Sequence, residues 1–158
     1  LKSHQYHPKK AVATLSNAMD VGDPSNFTRI LELFGHQFDH LKNVISGYSV
    51  DDESTLHTIK EVHEKYGYIL DPHSAVAFAA MEQYLNENPG KKGLILGTAH
   101  PVKFPEAVEK AAHITIDIPE ALNDLMKKEK KTVEINADFE ELKRFLLNKN
   151  QDNEQDLS

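Results

Sequence analysis

Hydroxyl, imidazole and ammonium groups are concentrated in one short segment of the chain, Gly97-Thr98-Ala99-His100-Pro101-Val102-Lys103-Phe104. This segment directly follows Gly93-Leu94-Ile95-Leu96-Gly97, which is apolar on both faces and therefore predicts a buried parallel strand. Ligands of α/β proteins meet the carboxyl ends of the strands, so Thr98, His100 and Lys103 are candidates for binding a ligand. The composition equally allows a tight loop in which Thr98 ends the strand and Lys103 is solvated.

A second polar group, Asp71-Pro72-His73-Ser74, follows the short apolar run 68–70. It contains the residue types of a hydrolase triad, but near neighbours at a helix start cannot form the required chain from acid to base to hydroxyl, and no Gly-x-Ser-x-Gly motif is present. We therefore predict that Asp71 caps a helix, that Ser74 serves another first-turn amide, and that His73 is half-buried.

His36 and His40 have the spacing of zinc ligands on one face of a helix. The residue after His36 is Gln37, so the glutamate base of the zinc-protease motif is missing, and Gly35 suggests a helix break. This pattern favours two solvated histidines, and the sequence predicts no metal site.

Composition excludes several classes of function. The 158 residues include 18 Lys and Arg, 25 Asp and Glu and no Cys, for a net charge of -7. The chain has no run of basic residues, so it lacks the cations that nonspecific binding of nucleic acid requires. The absence of cysteine excludes disulfides and thiol nucleophiles. No apolar run reaches the length of a membrane span and no signal peptide is evident, so we expect a cytoplasmic protein. A start at Leu1 rather than Met predicts a fragment.

Short strands alternating with helices predict an α/β fold, with a mostly parallel sheet and flanking helices. Residues 1–10 are expected to be a linker or a preceding element, 11–147 the folded part, and 148–158 a polar, disordered tail. Helices are predicted over 24–34, from the acidic group near Asp51 to Tyr66, and over 72–85, 105–112 and 119–126, with a last helix after Phe139. Strands are predicted at 47–50, 68–70, 93–97 and 114–116, and a short extended piece at 132–135.

Three ordered motifs carry a resemblance to a known family. They are Ser16-Asn17-Ala18-Met19-Asp20-Val21-Gly22-Asp23-Pro24-Ser25-Asn26-Phe27, Gly67-Tyr68-Ile69-Leu70-Asp71-Pro72-His73-Ser74-Ala75-Val76, and Gly97 to Phe104. From about Val12 to Leu147 the chain resembles the C-terminal part of threonine synthase. The resemblance implies a pyridoxal 5'-phosphate (PLP) enzyme of the tryptophan-synthase-β-like fold (PLP fold type II). Such an enzyme is a lyase of threonine biosynthesis that converts O-phospho-L-homoserine and water into L-threonine and phosphate.

The resemblance also implies roles for individual residues. Thr98 would hydrogen-bond the cofactor's ring nitrogen, with His100 and Lys103 beside it, and Asp20, Asn26 and His73 are candidates for lining the cleft. The lysine that carries the cofactor and the loop that binds its phosphate lie upstream in this family, and neither occurs here. No catalytic residue is therefore expected in this chain. The chain alone should neither bind PLP specifically nor convert the substrate.

Partners and rival functions follow from the same resemblance. The expected partners are O-phosphohomoserine for the intact enzyme, the missing N-terminal part, and other copies of the chain through an exposed concave apolar face. The alternatives are a threonine-synthase-like phospho-lyase acting on a related phosphorylated amino acid, and a noncatalytic interaction domain.

Overall fold

The structure, a computed structural model, describes residues 6–155 of a chain that divides into two units, 1–118 and 119–158. Two short 3-10 turns, Asn17–Met19 and Pro101–Lys103, lie in the first unit. The α-helices of the first unit are α1 (Phe27–Leu33), α2 (Phe38–Val44), α3 (Asp52–Tyr66), α4 (Pro72–Glu87) and α5 (Pro105–Ala112). Those of the second unit are α6 (Glu120–Met126) and α7 (Phe139–Gln155).

Helices α3, α4 and α5 pack together and form the core of the first unit. Ile59 of α3, Ala75 on the first turn of α4 and Val108 of α5 are fully buried members of one apolar cluster. The small side chain of Ala75 permits close approach, whereas the branched side chains fill the remaining volume. The other buried apolar residues of this cluster are Val62, Leu70, Ala111 and Ile116.

Local signals in the sequence explain where these helices begin and end. Asp51 caps α3 by accepting a hydrogen bond from the Ser54 amide, and Gly67 ends that helix in the left-handed conformation at φ 65°. Pro72 and Pro105 occupy the first turns of α4 and α5, where a missing N–H costs little. The predicted bounds of α5 are confirmed, and those of α3 and α4 agree with prediction to within two residues at each end.

The predicted mostly parallel sheet is wrong, because no β-strand occurs anywhere in residues 6–155. Gly93–Gly97 illustrates the reason: Leu94 and Leu96 are 80% and 75% exposed, and no second strand of the described chain lies beside them. Near 114–116 the Ile116 amide donates to a carboxylate oxygen of Glu109 at 2.9 Å, where a strand would use a neighbouring carbonyl. An apolar run predicts a preference for burial, but a strand also needs a partner for its backbone groups.

The second unit, described by itself, consists of α6 and α7 with irregular backbone between them. The short extended piece predicted at 132–135 belongs to that irregular segment. Residues 148–155, for which the sequence predicted a disordered tail, continue α7, while 156–158 lie outside the described residues. Within the described part of the chain, every helix is too short or too polar to cross a bilayer.

Candidate functional site

Asp71 is the centre of a buried polar cluster at the start of α4. Its side chain is 1% exposed and accepts hydrogen bonds from the His73 amide at 2.9 Å and the Ser74 amide at 3.4 Å. The Ser74 hydroxyl also donates to Asp71, through the second carboxylate oxygen. The prediction of Asp71 as a helix cap is thus confirmed. We call Asp71, His73 and Ser74 the Asp71 cluster.

His73 connects this cluster to a distant part of the sequence. Its Nδ1 lies 3.0 Å from Asp71 Oδ1, and its side chain is 12% exposed. The imidazole packs on the ring of Phe104, with centroids 4.9 Å apart and planes inclined by 56°. His73 Nε2 is buried and has no hydrogen-bond partner among the described residues. The contact brings together two motifs that are separate in the sequence.

The residues from Gly97 to Phe104, here called the 97–104 loop, lie beside the Asp71 cluster at both ends. A Cβ placed on Gly97 would be 3.5 Å from Ser74 Oγ, so the Gly97 backbone passes next to that hydroxyl. Phe104, at the other end, contacts His73. Between them the chain forms the 3-10 turn Pro101–Lys103 and leads into α5.

The 97–104 loop presents hydrogen-bond donors to solvent. Thr98, His100 and Lys103 are all exposed. The Val102 amide donates to His100 Nδ1 at 3.2 Å, which leaves the proton of a neutral imidazole on the outer nitrogen, Nε2. The side chains of Thr98 and Lys103 make no hydrogen bond or ion pair with any residue between 6 and 155. The loop therefore offers a hydroxyl, an N–H and an ammonium, with no carboxylate, to a ligand rich in acceptor atoms.

Asp20 and Asn26 have different surroundings. Asp20 accepts hydrogen bonds from the amide and the hydroxyl of Thr14, at 2.7 and 2.6 Å. It lines a shallow cavity of about 430 Å³ together with Lys9 and Lys10. Asn26 is exposed at the start of α1, where its carbonyl accepts from the Arg29 amide. Among the contacts of the described residues, none joins Asp20 or Asn26 to His73 or the 97–104 loop, so a shared cleft stays a prediction.

A larger cavity of the first unit lies elsewhere and is poor in reactive groups. It measures about 540 Å³ and is lined mainly by apolar side chains of α1 and α2, including Phe27, Phe34 and Leu41. His36 lies at its edge in the left-handed conformation at φ 56°, and its Nε2 is 2.9 Å from Glu32. Because His36 lies between α1 and α2, it does not share a helix face with His40. The 97–104 loop is the better candidate site, because its donor groups are free to bind.

Residues 74–146 match the family described as "Threonine synthase, C-terminal". The threonine synthase of Escherichia coli K12 is 44% identical over 149 residues, which cover 94% of this chain and 34% of that protein. The chain is similar to the C-terminal part of threonine synthases. It therefore spans about a third of the length of the curated relatives that it matches.

Solved threonine synthases also share the fold of this chain. The E. coli crystal structure aligns with a TM-score of 0.76 and 43% identity, over 92% of this chain and 33% of that one. The yeast enzyme aligns with a TM-score of 0.65 and 29% identity, over 89% of this chain and 37% of that one. Sequence similarity extends to a "Threonine synthase-like 2" protein of Xenopus laevis, 33% identical over 140 residues and covering 29% of that protein.

Sequence reasoning missed the link between the Asp71 cluster and the 97–104 loop. The sequence indicated Asp71 and Ser74 as local capping residues, and the structure adds that Ser74 lies beside Gly97. Phe104 was only the last residue of a motif, but it supports the His73 ring. The available signal was weak: a glycine and an aromatic residue flank the donor groups, and both types commonly mark close packing.

Proposed function

We propose that this chain is the C-terminal part of a PLP-dependent threonine synthase, which converts O-phospho-L-homoserine and water into L-threonine and phosphate. The observation that carries the proposal is the match to the E. coli threonine synthase structure, with 43% identity over 92% of this chain. A threonine synthase structure from Brucella melitensis, 26% identical with a TM-score of 0.61, is PLP-bound. The activity is proposed for the complete polypeptide, because the chain covers only 33% of the E. coli structure.

The donor groups of the 97–104 loop fit the ring edge of PLP. Thr98 is exposed and its hydroxyl has no partner within residues 6–155, so it can serve a ring nitrogen as a neutral hydrogen-bond partner. His100 offers an Nε2–H and Lys103 an ammonium from the same turn. When bound, PLP supplies the electron sink of the reaction, and a neutral partner at its ring nitrogen moderates that sink.

Three further residues are proposed to line the cleft of the complete enzyme. His73 has the strongest support, because its ring packs on Phe104 at the end of the 97–104 loop. Asp20 and Asn26 are supported by their place in the motif that resembles the family. Their part in substrate binding is tested by alanine substitution in the complete polypeptide, where KM for O-phosphohomoserine should rise.

The decisive test of function uses the complete polypeptide. Purified with PLP and supplied with O-phosphohomoserine, it should release phosphate and form threonine in equal amounts. The similarity to a "Threonine synthase-like 2" protein favours one second candidate, a phospho-lyase acting on a related phosphorylated amino acid. Phosphate release without threonine would support the lyase, and inactivity towards every phosphorylated amino acid tested would support an interaction domain.

The chain alone is predicted to lack activity. Within the family resemblance, the lysine that carries PLP and the phosphate-binding loop lie upstream of this segment. We therefore expect no saturable one-to-one binding of PLP and no phosphate release, in an absorbance titration and a phosphate assay. The complete polypeptide is the positive control, and clear turnover by the 158-residue chain would contradict the assignment of these groups to the missing part.

Two substitutions of Thr98 separate a cofactor contact from a structural role. In the complete enzyme, Thr98→Val removes the polar contact at similar size, and we expect a loss of PLP affinity of about 2- to 10-fold. Thr98→Asp places a carboxylate at the ring nitrogen and favours its protonation, so the absorbance spectrum of bound PLP and the rate should change more than the affinity. If Thr98 only ends the preceding segment, both variants lose similar stability and leave the PLP spectrum unchanged.

The remaining partners of the chain are proposed from its surface. The exposed Leu94 and Leu96 favour either contact with the rest of the enzyme or self-association of the isolated chain. A cytoplasmic location fits the described helices, which are unsuited to crossing a membrane. Sedimentation of the isolated chain against the complete polypeptide tests self-association, since only the isolated chain should form larger species.

A further inference from the structure

We propose that Asp71 is a positioning residue for the 97–104 loop, which it holds at both ends through its own hydrogen-bond partners. Ser74 lies beside Gly97 at the start of the loop, and His73 contacts Phe104 at its end. The consequence for the cofactor rests on the proposed function, whereas the positioning itself rests only on the contacts of this chain.

Asp71 is suited to this role because its own orientation is fixed. Its carboxylate is 1% exposed and accepts from two amides, one hydroxyl and one imidazole nitrogen. No Lys or Arg in the described part of the chain pairs with it, so these four donors are its partners. A buried carboxylate satisfied in this way cannot turn without losing several hydrogen bonds.

The hydrogen bond to His73 also selects the tautomer of that ring. Asp71 accepts at Nδ1, so the proton of the neutral imidazole is on Nδ1 and Nε2 carries a lone pair. Nε2 is buried without a partner among residues 6–155, a position where an unpaired N–H would carry a desolvation cost. His73 is therefore held as the Nδ1–H form, opposite to His100, whose Nδ1 accepts from Val102.

The 97–104 loop depends on these outer contacts because its internal hydrogen bonds are local. The Lys103 amide donates to the His100 carbonyl at 3.0 Å, and the Phe104 amide donates to the Pro101 carbonyl at 2.9 Å. These bonds shape the turn but do not fix it against α4. Val102 and Phe104 also pack against the apolar cluster of the first unit, and the contacts of Gly97 and Phe104 with the Asp71 cluster add a connection to α4 on either side of Thr98.

The first test uses three variants of the 158-residue chain. Asp71→Asn keeps an oxygen for the His73 and Ser74 amides, but that neutral oxygen is a weaker acceptor for His73 Nδ1, and an NH2 group faces the Ser74 hydroxyl. Ser74→Ala removes one hydroxyl as a milder change. Asp51→Asn is the matched control, because Asp51 caps α3 through Ser54 and makes no hydrogen bond or ion pair with residues 97–104. Imidazole ¹⁵N shifts report the tautomers, and amide hydrogen exchange at Val102, Lys103 and Phe104 reports the loop.

We expect the Nδ1–H tautomer of His73 in the wild type, and a shift towards Nε2–H in Asp71→Asn. Exchange at 102–104, measured relative to amides within α3, should be about tenfold faster in Asp71→Asn and about 2- to 10-fold faster in Ser74→Ala. Asp51→Asn should leave both readouts at 102–104 and His73 unchanged. A wild-type His73 in the Nε2–H form, or loop exchange unaltered in both variants, would overturn the proposal.

A second test connects the loop to the proposed cofactor site. In the complete polypeptide, the affinity for PLP, measured by equilibrium dialysis, should fall about tenfold in Asp71→Asn and stay unchanged in Asp51→Asn. Faster loop exchange with unchanged PLP affinity would support the positioning role while rejecting Thr98, His100 and Lys103 as cofactor contacts. The two proposals can thus fail separately.

Discussion

The N-termini of α3 and α4 use the same capping pattern in different surroundings. Each begins with an aspartate followed three residues later by a serine, Asp51 with Ser54 and Asp71 with Ser74. In both, the aspartate accepts a hydrogen bond from the serine amide. Asp51 is exposed, whereas Asp71 is buried and has gained His73 as a further partner.

The difference shows how a local signal acquires a long-range role. A cap exposed to water satisfies amides that water would otherwise bind, so its net contribution is modest. A buried cap accepts hydrogen bonds from donor groups that have no alternative partner, so its loss leaves several of those donors unsatisfied. At Asp71 the affected groups also contact Gly97 and Phe104, and one aspartate therefore links a helix start to a loop.

The largest expected effect is on the free energy of unfolding when each cap is removed. Asp71→Ala should lower it by roughly 2 to 4 kcal/mol, because the His73 and Ser74 donors lose a buried acceptor. Asp51→Ala should cost clearly less, since water replaces the lost acceptor. Urea unfolding of both variants beside the wild type measures the difference. Equal losses would show that burial of the cap contributes nothing.

Helix positions in this protein could be predicted because their signals are local. Asp51, Asp71 and Pro105 mark helix starts in the sequence itself, and the structure has α3, α4 and α5 beginning within one residue of them. The absence of a sheet from residues 6–155 could not be predicted, because pairing of Gly93–Gly97 depends on a second segment that no local pattern identifies.

In the candidate site too, one part could be predicted from the sequence and another could not. The groups of the 97–104 loop were recognisable because Thr98, His100 and Lys103 are contiguous and follow an apolar run. Their connection to Asp71 was not recognisable, because the contact of His73 with Phe104 is made by the packing of α4 against the approach to α5.

At the C-termini of α3 and α4 we expect the opposite order, with a larger loss of stability from substitution at the end of α3 than at the end of α4. Gly67 ends α3 at φ 65°, so Gly67→Ala should cost about 1 kcal/mol through left-handed strain. Asn88 ends α4 at φ -130°, where alanine is not strained. Asn88→Ala therefore loses only the hydrogen bond that the Asn88 side chain donates to the Tyr84 carbonyl. That half-buried hydrogen bond should contribute about 0.5 kcal/mol. Thermal unfolding of the pair tests the order, and a larger loss at Asn88 would contradict it.

The smallest expected effect is the pH dependence of the exposed cap. The Ser54 amide, followed by the Ser54 hydroxyl, holds the pKa of Asp51 below its ordinary value of 3.8. A folded pKa below the unfolded one gives stability that is present above pH 3.8 and is lost as the pH falls through the folded pKa. Asp51→Asn also caps well but carries no charge, so its stability should differ slightly from the wild type at neutral pH and converge with it in acid.

Ser54→Ala is the matched control for this effect. It keeps the backbone amide, which is the larger cause of the lowered pKa, and should therefore keep most of the pH dependence of the wild type. Added salt should weaken the difference between wild type and Asp51→Asn, because the carboxylate is exposed and screened. Urea unfolding from about pH 6 to about pH 2 measures all three proteins, over the range in which carboxylates titrate. A difference that persists unchanged at the acid end would show that Asp51 stabilises α3 by geometry alone, and the contrast with the buried Asp71 would then rest on burial and not on charge.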